Sequence, residues 1–180
     1  PGTPYWDKKM ADFLQATGVF FQNTGFLIVG KSCVGKSSLA LQLIERGGCL
    51  IGDDGVLVSA RRGVLYAQPV PATRTCMEVR SLGIVSGFRT VARAVPVRAM
   101  IELSADMPER LPERYAQVVA GISIPTYHLW SEDKFLIDKM RVLVHVLRGA
   151  RALKLVEHWP PETETTHVLR RLSRTQSNRR

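Results

Sequence analysis

Cysteine is scarce in this chain, and long apolar runs are missing. Three cysteines (Cys33, Cys49 and Cys76) are scattered over 180 residues. Their number is odd and no two form a CxxC pair, so they outline neither a zinc site nor a disulfide framework. Such usage fits a reducing compartment, and a cytoplasmic location is expected. No apolar stretch approaches the ~18 residues that a membrane helix needs, which excludes a helical transmembrane reading. Lys8 and Lys9 are followed by no apolar h-region, so no signal peptide is indicated. Acids are also few: 16 Asp+Glu face 25 Lys+Arg, for a net charge of +9.

Apolar residues make up 45% and charged residues 23%, which is ordinary for a soluble globular fold and excludes disordered and collagen-like classes. The length suits one domain with a full core. The chain opens with proline. Residues 1–9 read as a start that is disordered or foreign to the domain, with Met10 as one candidate first residue. Residues 10–158 read as the domain, and residues 159–180 as a basic, partly helical appendage. Eighteen of the cations are Arg. Residues 61–98 hold seven Arg and a single acid, Glu78, and residues 170–180 hold five Arg and no acid. That excess points to an anionic partner, whether nucleotide, acidic protein or nucleic acid. The tail reads chiefly as a solvated chain end.

Periodicity places strands at 17–22 and 25–29 around turn chemistry at Gln22-Asn23-Thr24-Gly25. A helix is expected over 36–46, with Leu39, Leu43 and Ile44 inward and Gly47-Gly48 ending it. A short strand at 49–51 runs into Gly52-Asp53-Asp54-Gly55. Strands at 56–60 and 64–67 form a hairpin around Arg61-Arg62-Gly63, and further strands lie at 95–103 and 122–130. Asp133 is positioned to cap a helix reaching Arg148, with Leu136, Met140, Leu143, Val144 and Leu147 as its buried stripe. Trp159-Pro160-Pro161 breaks the chain before a last short helix at 166–172. There is no internal repeat.

The strongest signal is Gly30-Lys31-Ser32-Cys33-Val34-Gly35-Lys36-Ser37, which fits GxxxxGK[ST] at every fixed position. A strand ends in it and a helix leaves it. Such a loop turns backbone N–H groups toward phosphate oxygens, and the helix N-terminus adds its positive dipole end. Lys36 supplies a charge for the β- and γ-phosphates, and Ser37 offers a hydroxyl to Mg²⁺. A glycine-rich turn without a ligand would not explain Lys and Ser together at its end. Cys33 reads chiefly as a variable position of the loop, with a redox or alkylation switch as the alternative.

Asp53-Asp54 follows the strand after that helix. One carboxylate at such a strand end can hold Mg²⁺, and a second can take a proton from an attacking hydroxyl. The bland reading is an Asp-Asp-Gly turn. Glu78 is the third acid of interest, with a surface ion pair to Arg80 as its bland reading.

Taken together, these residues resemble the C-terminal catalytic domain of HPr kinase/phosphorylase, over about residues 14–148. The matching features are the 30–37 loop, Arg46-Gly47, Asp53-Asp54, and Glu78-Val79-Arg80-Ser81-Leu82-Gly83, which is similar to the family's Glu-Ile/Val-Arg-Gly-Leu-Gly with Ser81 in place of Gly. Glu109-Arg110-Leu111-Pro112 and the helix holding Lys139 and Arg141 look like the short proteobacterial branch. The resemblance implies an α/β P-loop kinase fold similar to that of phosphoenolpyruvate carboxykinase, a mixed β-sheet with flanking helices. It implies ATP and Mg as cofactors, and a serine of HPr, the phosphocarrier of the sugar phosphotransferase system, as acceptor. Regulation of carbohydrate metabolism and assembly as hexamers come with it. Residue by residue, 30–37 would bind nucleotide, with Lys36 on the phosphates. Ser37 and Glu78 would bind Mg²⁺. Asp54 would accept the serine proton, and donate one in the reverse phosphorolysis. Asp53 would support the metal or orient Asp54.

Two departures stand out. The family's histidine, twenty-one residues before the loop lysine, is here Gln15, which can hydrogen-bond but cannot carry a proton or charge. The family's late Pro-Val-x-x-Gly-Arg segment is not intact, leaving Lys139 or Arg141 as stand-ins or as solvated helix residues. Arg89 and Arg93 belong to the Arg-rich stretch read as a docking face for a protein substrate, or else as charge on hairpin edges that discourages aggregation. The rival functions are a small-molecule kinase, a nucleotide-sensing module without catalysis, and, on charge alone, nucleic-acid binding.

Overall fold

Three hairpins share one turn chemistry. Strands β2 (Thr17–Phe21) and β3 (Thr24–Val29) are joined through Gln22 and Asn23, whose φ values are 46° and 62°. Strands β5 (Val56–Arg61) and β6 (Val64–Pro69) are joined through Arg62 and Gly63 at 49° and 76°. Strands β10 (Tyr115–Val119) and β11 (Ile122–Trp130) are joined through Ala120 and Gly121 at 48° and 74°. Two successive left-handed residues make a tight turn whose twist matches that of the strands it joins.

The computed structural model describes residues 11–109 and 115–151. The expected 166–172 helix, the 170–180 arginines, the 1–9 start and Arg110-Leu111-Pro112 lie outside the described residues. The other strands are β1 (Asp12–Leu14), β4 (Cys49–Gly52), β7 (Met77–Val79), β8 (Gly83–Val85) and β9 (Val95–Ser104), and the helices are α1 (Lys36–Ile44) and α2 (Leu136–Leu147). One mixed sheet runs β1-β5-β6-β9-β3-β2-β4, and β11, carrying β10, pairs with β9. β7 and β8 form a separate two-stranded hairpin.

The central strand β9 is parallel to both β3 and β11, and β4, like β3, is antiparallel to β2. The carboxyl ends of β3, β4, β9 and β11 therefore lie at one edge. That is where α/β sheets place their ligands.

Both faces of the sheet are buried, by different means. On one face, Phe26, Ile28, Ala99, Ile101 and Leu50 pack against Leu39 and Leu43 of α1 and Met140 and Val144 of α2. Both helices thus flank the same face. On the other, Leu27, Ile51 and Met100 meet Val56, Val58, Leu65 and Ala67 of the β5–β6 hairpin. That hairpin pairs with β9 only at Val95 and Pro96 and closes over the sheet. Burying each of these large apolar side chains stabilises the fold by about 1.5–3 kcal/mol before entropy is counted. A register shift between Gly25 and Phe26 passes over Arg98 of β9. It explains how Val97 serves one face and Ala99 the other, since an extra residue reverses the alternation.

The strand and helix expectations hold to within a few residues, with three additions and one correction. β1, the β7–β8 hairpin and β10 were not expected. The correction concerns α2. Asp133 does not cap it: the helix begins at Leu136 with Phe135 at the N-cap and no side-chain cap. Asp133 instead closes the turn before it, its Oδ1 accepting from Phe135 N at 2.8 Å and its carbonyl accepting from Leu136 N at 3.0 Å. Leu147 of the expected stripe is only half-buried, and Ile137 is buried in its stead. Among the described residues no helix is long and apolar enough to cross a membrane.

Candidate functional site

The 30–37 loop leaves β3 and enters α1 at the sheet edge just described. Its backbone is shaped by residues with positive φ: Gly30 at 138°, Cys33 at 63° and Gly35 at 103°. Gly30 also lies so close to β9 that a β-carbon there would stand 2.3 Å from the Leu103 carbonyl oxygen. Only glycine fits both demands. Gly35 is the N-cap of α1, with no side-chain cap and no acid in the first turn. The helix's first N–H groups and its positive dipole end are therefore left to whatever occupies the loop. Lys36 curls back over the loop, its Nζ donating to the carbonyls of Gly30 at 3.1 Å and Lys31 at 2.9 Å.

Asp53 follows β4 and joins three elements. Its Oδ1 accepts from Ser37 Oγ at 2.8 Å and from Thr17 Oγ1 at 3.1 Å. Its Oδ2 accepts from the backbone N–H of Glu78 at 3.0 Å. One carboxylate thus ties the start of α1, the start of β2 and the β7–β8 hairpin together. Ser37 donates its proton to Asp53, which leaves the hydroxyl's lone pairs for a cation. Asp54, at φ 59°, is exposed. Gly52 makes this turn possible, since a β-carbon there would meet the Gly55 carbonyl oxygen at 2.3 Å.

These groups surround a cavity of about 400 Å³. Ser32, Cys33, Gly35, Lys36 and Ser37 form one wall, Asp53 and Asp54 another, and Cys76, Glu78, Arg80 and Ile84 the third. The sequence-derived residues are thereby brought together, with qualifications. Gly30 lies behind the loop against Leu103, Val34 packs toward the core, and Lys31 contributes its carbonyl to Lys36. Gln15 is exposed and does not line the cavity. Neither do Lys139 and Arg141. Lys139 pairs with Asp133, and Arg141 Nη1 lies 3.8 Å from Asp138 Oδ1.

Three residues at the site were missed by sequence reasoning. Thr17 is fully buried and serves Asp53, but a threonine in a strand reads as ordinary β-propensity. Arg80 lines the cavity. Among the described residues no ion pair joins it to Glu78, and it shares the cavity lining with the Cys33 thiol. The hydrogen bond from Ser32, then Arg80's own bond and charge, hold that thiol below its ordinary pKa. Cys76 lies two residues before Glu78 and gave no signal of its own.

The fold and site define a class: an α/β domain whose P-loop faces a carboxylate pair at a neighbouring strand end. The HPr Serine kinase C-terminal domain family model matches residues 8–129, and the chain belongs to that family. An HPr kinase/phosphorylase of Clostridium novyi is 34% identical over 117 residues, 61% of this chain and 38% of that protein. One of Bordetella pertussis is 36% identical over 133 residues, 67% of this chain and 43% of that protein. The chain thus spans about two fifths of the length of these relatives. The Hpr(Ser) kinase/phosphatase structure from Coxiella burnetii superposes with a TM-score of 0.67 at 23% identity, covering 78% of this chain and 99% of that one. That likeness establishes the fold.

Proposed function

We propose that the chain is an ATP- and Mg²⁺-dependent kinase that phosphorylates a serine of the phosphocarrier protein HPr. The observation that carries this reading is the placement of Lys36 and the uncapped start of α1 across one cavity from Asp53 and Asp54. Nucleotide phosphates would lie on the loop N–H groups and the helix N-terminus, with Lys36 on the β- and γ-phosphates.

The donor set fits Mg²⁺. Ser37, Asp53 and Glu78 offer hard oxygens in one cavity. Among the described residues no three His, Cys, Asp or Glu side chains converge as a self-sufficient metal cage. A cation that keeps waters and phosphate oxygens needs only one or two carboxylates. Ser37 and Glu78 would hold it, with Asp53 fixing both: it accepts the Ser37 proton and anchors the Glu78 backbone. When bound, Mg²⁺ supplies charge neutralisation on the transferring phosphoryl group.

Asp54 is the proton acceptor for the substrate hydroxyl. It is exposed on the cavity wall, whereas both oxygens of Asp53 are engaged in hydrogen bonds. In the reverse phosphorolysis Asp54 returns the proton. Positioning and electrostatics carry such a reaction, without a covalent intermediate. Arg80, which lines the same cavity, would meet a phosphoryl oxygen as a cation. A cytoplasmic location, assembly as a hexamer and a role in regulating carbohydrate metabolism follow the family. Arg89 and Arg93, both exposed, belong to the acceptor-docking face of the same reading.

The test is transfer of labelled phosphate from ATP·Mg²⁺ to purified HPr. Serine labelling that vanishes in Lys36→Ala and Asp54→Asn supports the proposal. Nucleotide binding without labelling rejects it. That result favours a second reading, nucleotide sensing without catalysis, for which the observation is Gln15 outside the cavity with neither Lys139 nor Arg141 lining it.

A further inference from the structure

The nucleotide reading leaves two thiols in the cavity without a role. Cys33 sits at the crest of the loop, exposed, at φ 63°. Cys76 lines the third wall, half-buried, just before β7. Both are free, and the third cysteine, Cys49, is also free but does not line the cavity. Two thiols facing one small cavity, on separate elements, are a candidate redox pair. The chemistry around them is unequal. Ser32 Oγ lies 3.7 Å from Cys33 Sγ and Arg80 lines the same cavity, and a neighbouring cation stabilises the thiolate, the reactive form.

We propose that Cys33 and Cys76 form a redox-controlled modification site inside the phosphate cavity, oxidised by peroxide to a disulfide that closes the cavity to nucleotide. In the first step the Cys33 thiolate attacks one peroxide oxygen. The O–O bond breaks, hydroxide leaves, and Cys33 becomes a sulfenic acid. In the second step the Cys76 thiolate attacks Cys33 Sγ, the S–O bond breaks, and a second hydroxide leaves. The balance is two thiols and one hydrogen peroxide giving one disulfide and two waters. Sulfur loses two electrons and peroxide gains them. The bond draws the crest of the loop toward β7, since a disulfide brings two β-carbons to within about 4.5 Å. The cross-link then occupies the space between the loop and Glu78. A thiol reductant restores the open cavity by exchange. The inference rests on the nucleotide reading for its consequence, though not for its chemistry.

The experiment compares reduced protein with protein treated with hydrogen peroxide. A fluorescent ATP analogue with Mg²⁺ reads binding, while intact mass and peptide mapping read the thiols. The oxidised protein is expected to lose two hydrogen atoms, to yield a Cys33–Cys76 cross-linked peptide, and to bind the analogue at least about tenfold more weakly, a shift of about 1.4 kcal/mol. Dithiothreitol reverses all three. Each variant is compared with its own reduced form. Cys33→Ser and Cys33→Gly form no cross-link and show no peroxide response. Cys76→Ser halts at the sulfenic acid, which dimedone traps on Cys33. Cys49→Ser behaves as the parent protein. Unchanged binding after peroxide, an equal response in Cys33→Ser, or a cross-link between other cysteines would overturn the inference. A reduced protein that fails to bind the analogue overturns the nucleotide reading instead, and the peptide map still decides the disulfide.

Discussion

Removing the Asp53 carboxylate should cost more than removing any other polar group at the site. Three donors converge on it: Ser37 Oγ at 2.8 Å, Thr17 Oγ1 at 3.1 Å and Glu78 N at 3.0 Å. A hydrogen bond to a charged group contributes about 1.5–3 kcal/mol when well formed. Asp53 is only half-buried, so the lower end applies to the two bonds nearest solvent. Thr17 is fully buried, and stranding its hydroxyl costs about 1–3 kcal/mol. Asp53→Ala should therefore destabilise the domain by about 4–6 kcal/mol, which for this size lowers Tm by at least about 8 °C. Asp53→Asn separates the contributions. It keeps one oxygen for the two hydroxyls but turns an amide N–H toward the Glu78 N–H. Its cost should be about 1–2 kcal/mol, from the loss of charge and of one bond. Urea unfolding of the two variants, with the m-value held constant, measures both. An Asp53→Ala cost under about 0.5 kcal/mol, the range of an ordinary surface change, would refute the view that this carboxylate ties three elements together. Equal costs for the two variants would refute the assignment of partners to its two oxygens.

Three further outcomes are expected. Gly30→Ala places a β-carbon 2.3 Å from the Leu103 carbonyl oxygen at φ 138°, and should destabilise by about 3 kcal/mol in the same unfolding assay. Lys139→Ala and Arg141→Ala remove exposed ion pairs outside the cavity; phosphate transfer should be unchanged, and stability should fall by at most about 1 kcal/mol. Cys33 is held below the ordinary thiol value of 9.0 by Ser32 and Arg80, so its thiolate persists to lower pH. Its alkylation rate by iodoacetamide should reach half-maximum below pH 9.0, and Arg80→Gln should move that midpoint upward.

Much of this molecule was legible because its turns and its phosphate loop use residues with few alternative uses. Asn23 and Gly63 marked two hairpins, and Gly30, Gly35, Lys36 and Ser37 marked the loop and the helix behind it. The third hairpin was read only on its β11 side. Tyr115–Val119 is largely exposed, so it lacks the apolar alternation that reveals a strand, and Ala120 ahead of Gly121 is a weaker turn signal. The β7–β8 hairpin is short and its tip exposes Leu82 and Ile84, so it offered a motif but no periodicity. At the site, the Asp53-Asp54 pair was visible as a pair. The division of labour between the two was not, because it depends on Thr17 and the Glu78 N–H. These groups lie 36 and 25 residues away in sequence. Arg80 gave no signal of its own for a similar reason. Its bland reading in sequence was an ion pair with Glu78; among the described residues no such pair forms, and Arg80 lines the cavity together with Cys33.

The measurement that tests the account most directly separates nucleotide binding from phosphate transfer in Asp54→Asn. Calorimetry would give the affinity for ATP with Mg²⁺, and a single-turnover assay with HPr would give the rate of serine phosphorylation. The account predicts near-normal affinity and a transfer rate reduced by at least about a hundredfold, the contribution of a positioned general base. Transfer at the rate of the unsubstituted protein would contradict the role of Asp54 and return the reaction to another group in the cavity.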